Sequence, residues 1–230
     1  MRAKPVGFVA AIMVAAAVCG CDEQTAGEPT PPPGKPHPAV LEARTDFTYE
    51  GKPIPPFFLA DFNGGPEAPD FWLRDAGSRV CAIAVEGLFV DGDGAYTGVS
   101  GEVTRSGDGM VRFDLPQADG SCDFPCGYMG YKFVGTTPSG ITVLQTIVNT
   151  GGSGTIPGVM FVRFEMASAG ATRQTKRARL TMHCLGEMAW GDRVYRDVTL
   201  EGNTLRLGPE RTSIPACRDT LEGERRITLE

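Results

Sequence analysis

A chain of 230 residues with 22 basic and 28 acidic side chains carries a formal net charge of −6 at neutral pH. This acidic balance argues against non-specific binding to nucleic acid, because such a surface must neutralise phosphates. The chain contains only two histidines, His37 and His183. Catalysis that uses an imidazole as acid or base therefore has few options.

The first twenty residues are organised like a secretory signal. Arg2 and Lys4 give a positive start, and residues 6–18 form an uncharged apolar run. That run has about the length of a signal h-region and is too short to span a bilayer comfortably. We therefore expect residues 1–20 to be removed on export.

The apolar run ends in Val18-Cys19-Gly20-Cys21. This stretch resembles the lipobox of bacterial lipoproteins, in which an aliphatic residue is followed by two small residues and a cysteine. The resemblance implies cleavage after Gly20 and a diacylglyceryl anchor on Cys21, which would hold the protein on the extracytoplasmic side of a membrane in the cell envelope. An uncleaved transmembrane anchor and an ordinary secreted protein are the alternatives.

A proline-rich segment follows the anchor. Residues 27–38 read GEPTPPPGKPHP, with six prolines and no apolar side chain that could enter a core. Such a composition favours extended polyproline II and a semi-rigid spacer. The sequence thus predicts a linker over 21–44 and one folded domain over 45–230, a length that supports one sizeable core.

Period-two alternation dominates the predicted domain. It is clearest over 159–166, where apolar residues alternate with Arg163 and Glu165. Further strands are predicted at 46–49, 81–85, 96–104, 111–115, 129–133, 141–148, 178–184, 194–200, 204–207 and 225–229. Glycine-rich turns such as 106–109 and 201–203 separate them. The prediction is an all-β fold, an antiparallel β-sandwich or jelly roll, with a closed β-barrel as the alternative.

Five cysteines remain after the signal and the anchor, an odd number for an oxidising compartment. They are Cys81, Cys122, Cys126, Cys184 and Cys217. We expect a local bridge between Cys122 and Cys126 and a long-range bridge between Cys184 and Cys217. Cys81, which alternation places beside Ile83 and Val85, would remain as a buried core thiol.

No arrangement of residues in the sequence selects a catalytic site. Alternation places His183 on the polar face of its strand, which is typical of a solvated surface histidine. Two carboxylates could still come together from distant strands, so a hydrolase that uses carboxylates stays open. Asp91 and Asp93 lie in an acidic, glycine-rich loop, where weak binding of calcium is conceivable although the EF-hand spacing fails.

Two groups of residues are candidates for ligand binding. The first is a basic run that could dock on an anionic envelope glycan or an acidic protein, or that could simply keep a strand edge soluble. It consists of Arg173, Lys176, Arg177 and Arg179. The second is the pair Trp72 and Trp190, whose rings could stack against sugars. The stretch from Leu59 to Gly65, followed by Trp72, faintly resembles the start of jelly-roll carbohydrate-binding domains.

The sequence therefore predicts a lipid-anchored extracytoplasmic protein with a non-catalytic binding or scaffolding domain. A carbohydrate-binding module and a secreted hydrolase are the alternatives. We expect no resident cofactor, apart from the weak calcium option, and no nucleic-acid partner.

Overall fold

The computed structural model of the protein describes residues 35–62, 72–74, 80–89, 103–115, 127–149, 154–167, 178–212 and 222–230. Strands dominate these residues, as predicted. The first eight strands are β1 (Thr48–Tyr49), β2 (Lys52–Pro53), β3 (Trp72–Arg74), β4 (Val80–Ala84), β5 (Val103–Arg105), β6 (Met110–Leu115), β7 (Gly127–Thr136) and β8 (Ile141–Asn149). The others are β9 (Ile156–Ala167), β10 (Arg179–Ala189), β11 (Val194–Tyr195), β12 (Val198–Glu201), β13 (Thr204–Leu207), β14 (Arg211–Thr212) and β15 (Arg225–Thr228).

The main sheet has eight strands in the order β3-β4-β10-β9-β8-β7-β6-β5, all paired antiparallel. From β5 to β10 each strand pairs with the next one in the chain, so this part is a meander. β3 and β5 stand at opposite ends of the described sheet, which is therefore open, and the alternative of a closed barrel is not adopted.

One face of the main sheet carries the larger apolar core. Its centre is a group of aromatic rings around Phe47, which is 1% exposed. The ring of Phe47 lies 4.7 Å from that of Tyr131 and 5.5 Å from that of Phe164, measured between centroids. The Tyr131 hydroxyl donates to the Ile54 carbonyl oxygen at 2.7 Å, so the one polar atom of this ring has its partner.

Two helices and a 3₁₀ turn cover this core. They are α1 (Pro38–Asp46), α2 (Phe58–Phe62) and the turn Val85–Phe89. Proline stands at the first turn of α1, and the His37 side chain accepts a hydrogen bond from the Ala39 N–H at 3.3 Å. Phe47 ends the helix in a left-handed conformation with φ of 54°. The sequence predicts no helix here, because nine residues are too few to show helical periodicity over three turns.

The helix α1 belongs to the folded core although it lies largely within the predicted linker 21–44. Val40 and Ala43 are buried. The Arg44 guanidinium donates to the Phe164 carbonyl oxygen at 3.1 Å, and the Thr136 hydroxyl donates to the Arg44 carbonyl oxygen at 2.6 Å. The chain therefore passes from the proline-rich segment directly into a packed helix. None of the helices in the described part of the chain is long and apolar enough to cross a membrane.

The other face of the main sheet packs against a smaller sheet of order β12-β13-β15. Ile141, Val143 and Val159 of the main sheet are buried against Leu205 and Leu207 of the small one. Two sheets packed face to face form a β-sandwich, as the alternation in the sequence predicts.

β10 contains a bulge, and its apolar side chains face the larger core before the bulge and the second core after it. The second core is the apolar cluster between the main sheet and the small sheet. Before the bulge, Leu180, Met182 and Cys184 pack in the larger core. The register against β9 then shifts between Cys184 and Gly186. Because the side-chain period of a strand is two, one extra residue reverses the faces. Met188 and Trp190 accordingly pack against the second core.

Cys81 and Cys184 are the cysteines within the described residues. Cys81 is buried on β4 and disulfide-bonded, and Cys184 is half-buried on β10. The disulfide at Cys81 differs from the prediction, which left Cys81 as a core thiol. Alternation places Cys81 in the core but does not identify the cysteine that pairs with it. The bridge predicted between Cys184 and Cys217 stays a prediction. The bridge predicted between Cys122 and Cys126 lies, like Cys217, outside the described residues and stays a prediction.

Candidate functional site

The structure separates the two tryptophans that the sequence singles out. Trp72 lies on β3, at an edge of the main sheet, and pairs with Ile83 of β4, which in turn pairs with Met182 of β10. Trp190 follows the end of β10, eight residues beyond Met182, which corresponds to roughly 25 Å along a strand. The two residues therefore lie far apart in the main sheet.

The predicted basic run stays a prediction, because one of its four residues lies within the described part of the chain. Arg173, Lys176 and Arg177 lie outside them. Arg179 is half-buried on β10, with its Nε 3.7 Å from a carboxylate oxygen of Glu86. An arginine already paired with a carboxylate is a weaker docking group for an anion than a solvated one.

Trp190 lines a cleft where the end of β10 meets the small sheet. The cleft has a volume of about 330 Å³. Its walls are formed by Met188, Ala189, Trp190, Arg196, Leu207, Glu210, Glu222 and Arg225. It therefore combines an aromatic ring and apolar side chains with two guanidinium groups and two carboxylates.

Arg196 organises the charged part of this cleft. Its side chain is 2% exposed, which requires that the charge be paired and its N–H groups satisfied. One terminal nitrogen donates to the carbonyl oxygens of Gly208 and Gly223, at 3.1 Å and 3.0 Å. The other donates to carboxylate oxygens of Glu210 and Glu222, at 2.6 Å and 2.8 Å. Arg196 thus joins three chain segments at one point.

Further hydrogen bonds tie the two glutamates to each other and to the cleft wall. The Glu222 N–H donates to the second carboxylate oxygen of Glu210 at 2.8 Å. The second carboxylate oxygen of Glu222 accepts from Arg225. Glu210 is 12% exposed, whereas the side chains of Glu222 and Arg225 are 47% and 45% exposed. The network is balanced in charge, with a buried half at Arg196 and Glu210 and an accessible half at Glu222 and Arg225.

The Glu210 carboxyl is held in its ionised form. Burial raises its pKa, but the Glu222 N–H and the Arg196 guanidinium lower it by more, so the net pKa lies below the ordinary value. A carboxyl in this state is a hydrogen-bond acceptor and not a proton donor near neutral pH.

A backbone hydrogen bond holds Trp190 in place, and its indole nitrogen has no hydrogen-bond partner among the described residues. Its N–H donates to the Pro157 carbonyl oxygen at 3.0 Å, which extends the pairing of β9 and β10. The half-buried ring packs against the second core. The indole N–H is buried and has no acceptor among the described residues. A buried donor without a partner is costly to the free energy of folding.

His183 lies away from this cleft, on β10 before the bulge. Its Nε2 is 2.9 Å from a carboxylate oxygen of Glu165 on β9, and its side chain is 27% exposed. The hydrogen bond from His183 lowers the pKa of Glu165. The nearby Thr181 is buried, and its hydroxyl donates to the Arg179 carbonyl oxygen at 3.4 Å. The histidine is therefore a half-buried residue in contact with a carboxylate on a strand face, not the fully solvated side chain that the sequence predicts.

No group of three or more potential metal ligands occurs within the residues that the structure describes. Asp91 and Asp93, the predicted option for calcium, lie outside them. Comparisons of the chain with protein-family models, curated proteins and solved structures find no match. The chemistry of the cleft is therefore the main guide to function.

Sequence reasoning identifies Trp190 but misses its neighbours Arg196, Glu210, Glu222 and Arg225. These residues are separated in the chain and meet only because the small sheet folds back on the main one. The sequence contains one feature that could have indicated Arg196. Residues 194–200 read as a single strand, but the strand breaks at Arg196, where a charged residue interrupts the run between Tyr195 and Val198.

Proposed function

We propose that the protein is a lipid-anchored extracytoplasmic binding protein whose folded domain holds a ligand in the Trp190 cleft without transforming it. The lipobox-like stretch at Cys21 and the proline-rich segment behind it support the location. An extended segment of this kind would lift the domain away from the membrane surface and leave its cleft accessible.

The arrangement of the cleft carries the binding part of the proposal. Its polar groups are fixed in advance, because Arg196 and Glu210 form a buried network that positions Glu222 and Arg225 at the surface. A small number of placed polar groups beside an aromatic and apolar wall is typical of a ligand site. Fixing those groups before the ligand arrives reduces the entropy lost on binding.

The same network disfavours the competing hydrolase. Glycoside hydrolysis by two carboxyl groups requires that one of them be protonated and act as a general acid, which demands a raised pKa. Glu210 has a lowered pKa, and both Glu210 and Glu222 accept hydrogen bonds from Arg196. Glu210 is therefore suited to accepting hydrogen bonds and not to donating a proton.

Fluorescence of Trp190 tests the binding proposal, because the chain has only two tryptophans. In a Trp72→Phe variant all tryptophan emission comes from Trp190. We expect that emission to shift on titration with at least one member of a panel of oligosaccharides, short peptides and small metabolites, while chromatography of the mixture shows no product. The matched Trp190→Phe variant, which retains Trp72, should not respond to the same compound. Turnover lost in Glu210→Gln would contradict the proposal and favour the hydrolase.

The anchor is tested separately by intact mass. The full-length protein, expressed in a bacterium and extracted from membranes, should begin at Cys21 and carry added acyl mass. A Cys21→Ser variant should lack that mass. An unmodified, soluble wild-type product would remove the lipoprotein part of the proposal and leave the binding part to be judged by the fluorescence.

A further inference from the structure

We infer that the ligand of the Trp190 cleft is an uncharged saccharide; this rests on the proposed binding function and names its ligand class. The charges of the cleft are balanced. Arg196 and Arg225 are matched by Glu210 and Glu222, and all four groups are joined by hydrogen bonds. An anionic ligand would compete with Glu222 for Arg225, and a cationic ligand would compete with Arg225 for Glu222, because these two side chains are the accessible ones. A neutral ligand breaks neither ion pair and therefore avoids the free-energy cost of leaving one of these charges without its partner.

The accessible half of the network offers hydrogen bonds suited to hydroxyl groups. Each carboxylate oxygen of Glu222 already accepts one hydrogen bond, from Arg196 or from Arg225. A carboxylate has about four acceptor positions, so roughly two remain on a side chain that is 47% exposed. Arg225 has five N–H donors and is 45% exposed. A hydroxyl group can both donate and accept a hydrogen bond. Two neighbouring hydroxyls of one ligand can therefore donate to Glu222 and accept from Arg225.

The apolar part of the lining suits the apolar face of a sugar ring. Trp190 provides a half-buried aromatic side chain, and the half-buried Met188 adds an apolar one. A pyranose presents C–H groups on one face and hydroxyls around its edge, which matches an aromatic wall beside a polar one.

The size of the cleft limits how much of a saccharide it holds. A volume of about 330 Å³ lies at the small end of the range for ligand sites. The cleft is therefore suited to about one or two sugar rings, with the rest of a longer chain extending into solvent.

Isothermal titration of the full-length protein with oligosaccharides tests the inference. The detergent must not have a sugar headgroup, because a maltoside or glucoside would occupy the cleft. The probes are uncharged gluco-, manno-, galacto-, xylo- and chito-oligosaccharides and, as the charged counterpart, oligosaccharides of uronic acids. We expect at least one uncharged probe to bind, and uronic acid chains of the same length to bind about tenfold more weakly or not at all.

Substitutions then assign the binding to the cleft. Trp190→Ala should weaken binding by about tenfold or more, and Trp190→Phe by less because a ring remains. Tyr195→Ala is the matched control, since Tyr195 is an exposed aromatic residue that does not line the cleft. We expect it to bind within about twofold of wild type. Unchanged melting temperatures of the unliganded variants would exclude misfolding as the cause.

Several results would overturn the inference, and they separate it from the proposed function. A preference for uronic acid chains, or binding that is insensitive to Trp190→Phe and Trp190→Ala, contradicts an uncharged saccharide in this cleft. If no oligosaccharide binds but Trp190 emission responds to a peptide or metabolite, the saccharide inference fails and the binding function stands. If Trp190 responds to nothing in either panel, both fail.

Discussion

Removing the Arg196 guanidinium should destabilise the protein more than removing any other charge of the cleft. In Arg196→Met the Glu210 carboxylate, 12% exposed, loses its counter-ion, and the Gly208 and Gly223 carbonyls lose a donor. Breaking a buried ion pair at one partner costs about 3–5 kcal/mol. Glu222 adds little to this, because its side chain is 47% exposed and solvent screens its charge.

Urea unfolding followed by circular dichroism measures this loss. With a denaturant slope of about 2 kcal/mol/M, the midpoint of Arg196→Met should fall by about 1.5–2.5 M. Arg225→Met is the matched control, because Arg225 is 45% exposed and also pairs with Glu222. It should change the free energy of unfolding by less than about 1 kcal/mol. The double variant Arg196→Met/Glu210→Gln should recover at least about 1 kcal/mol, since it removes the unpaired buried charge.

The loss of stability in Arg196→Met should also depend on pH. The pKa of Glu210 is lower in the folded protein than its ordinary value of 4.5. Its contribution to stability is therefore fully present above about pH 4.5 and is lost as the pH falls through the lowered folded pKa. The stability difference between wild type and Arg196→Met should shrink over that acidic range. A difference below about 1 kcal/mol at neutral pH, or an equal loss in Arg225→Met, would refute the assignment of Arg196 as the buried centre of the network.

Three further substitutions test the aromatic packing around Phe47 and the contact between His183 and Glu165 on the main sheet. Phe47→Ala should reduce the free energy of unfolding by about 3–5 kcal/mol in the same urea assay, because the ring is fully buried among other aromatic rings. Tyr131→Phe should cost about 1–3 kcal/mol, since it leaves the buried carbonyl of Ile54 without its donor. His183→Leu should raise the pKa of Glu165 towards its ordinary value in a carboxyl NMR titration, because leucine has no side-chain donor. An unchanged pKa would contradict the hydrogen bond between His183 and Glu165.

The regular part of the sheet was predictable because its signal is local. Side chains alternate along β9 between the core and the opposite face, and this repeat is visible in the sequence from 159 to 166. Turns such as 106–109 carry glycine where the chain reverses, and Gly109 adopts a positive φ of 88°. Strand identity and the sandwich fold follow from these short-range patterns.

The features that depend on distant contacts were not predictable in the same way. The bulge between Cys184 and Gly186 changes which core Trp190 joins, yet it leaves no clear mark in an alternating sequence. Helix α1 is short, and its place in the core depends on the Arg44 contact with β9. The charged network requires Glu210 and Glu222 to meet at Arg196, which follows only from the docking of the small sheet.

Amide hydrogen exchange locates the bound ligand and so tests whether it lies in the Trp190 cleft. The full-length protein would be compared with and without a saturating concentration of the oligosaccharide that binds most tightly. Exchange should slow at the backbone N–H groups of Trp190, Gly208 and Glu222, which lie in or beside the cleft and are hydrogen-bonded within the fold. Protection confined to β3 around Trp72, with the cleft unchanged, would show that the ligand binds elsewhere and contradict the account.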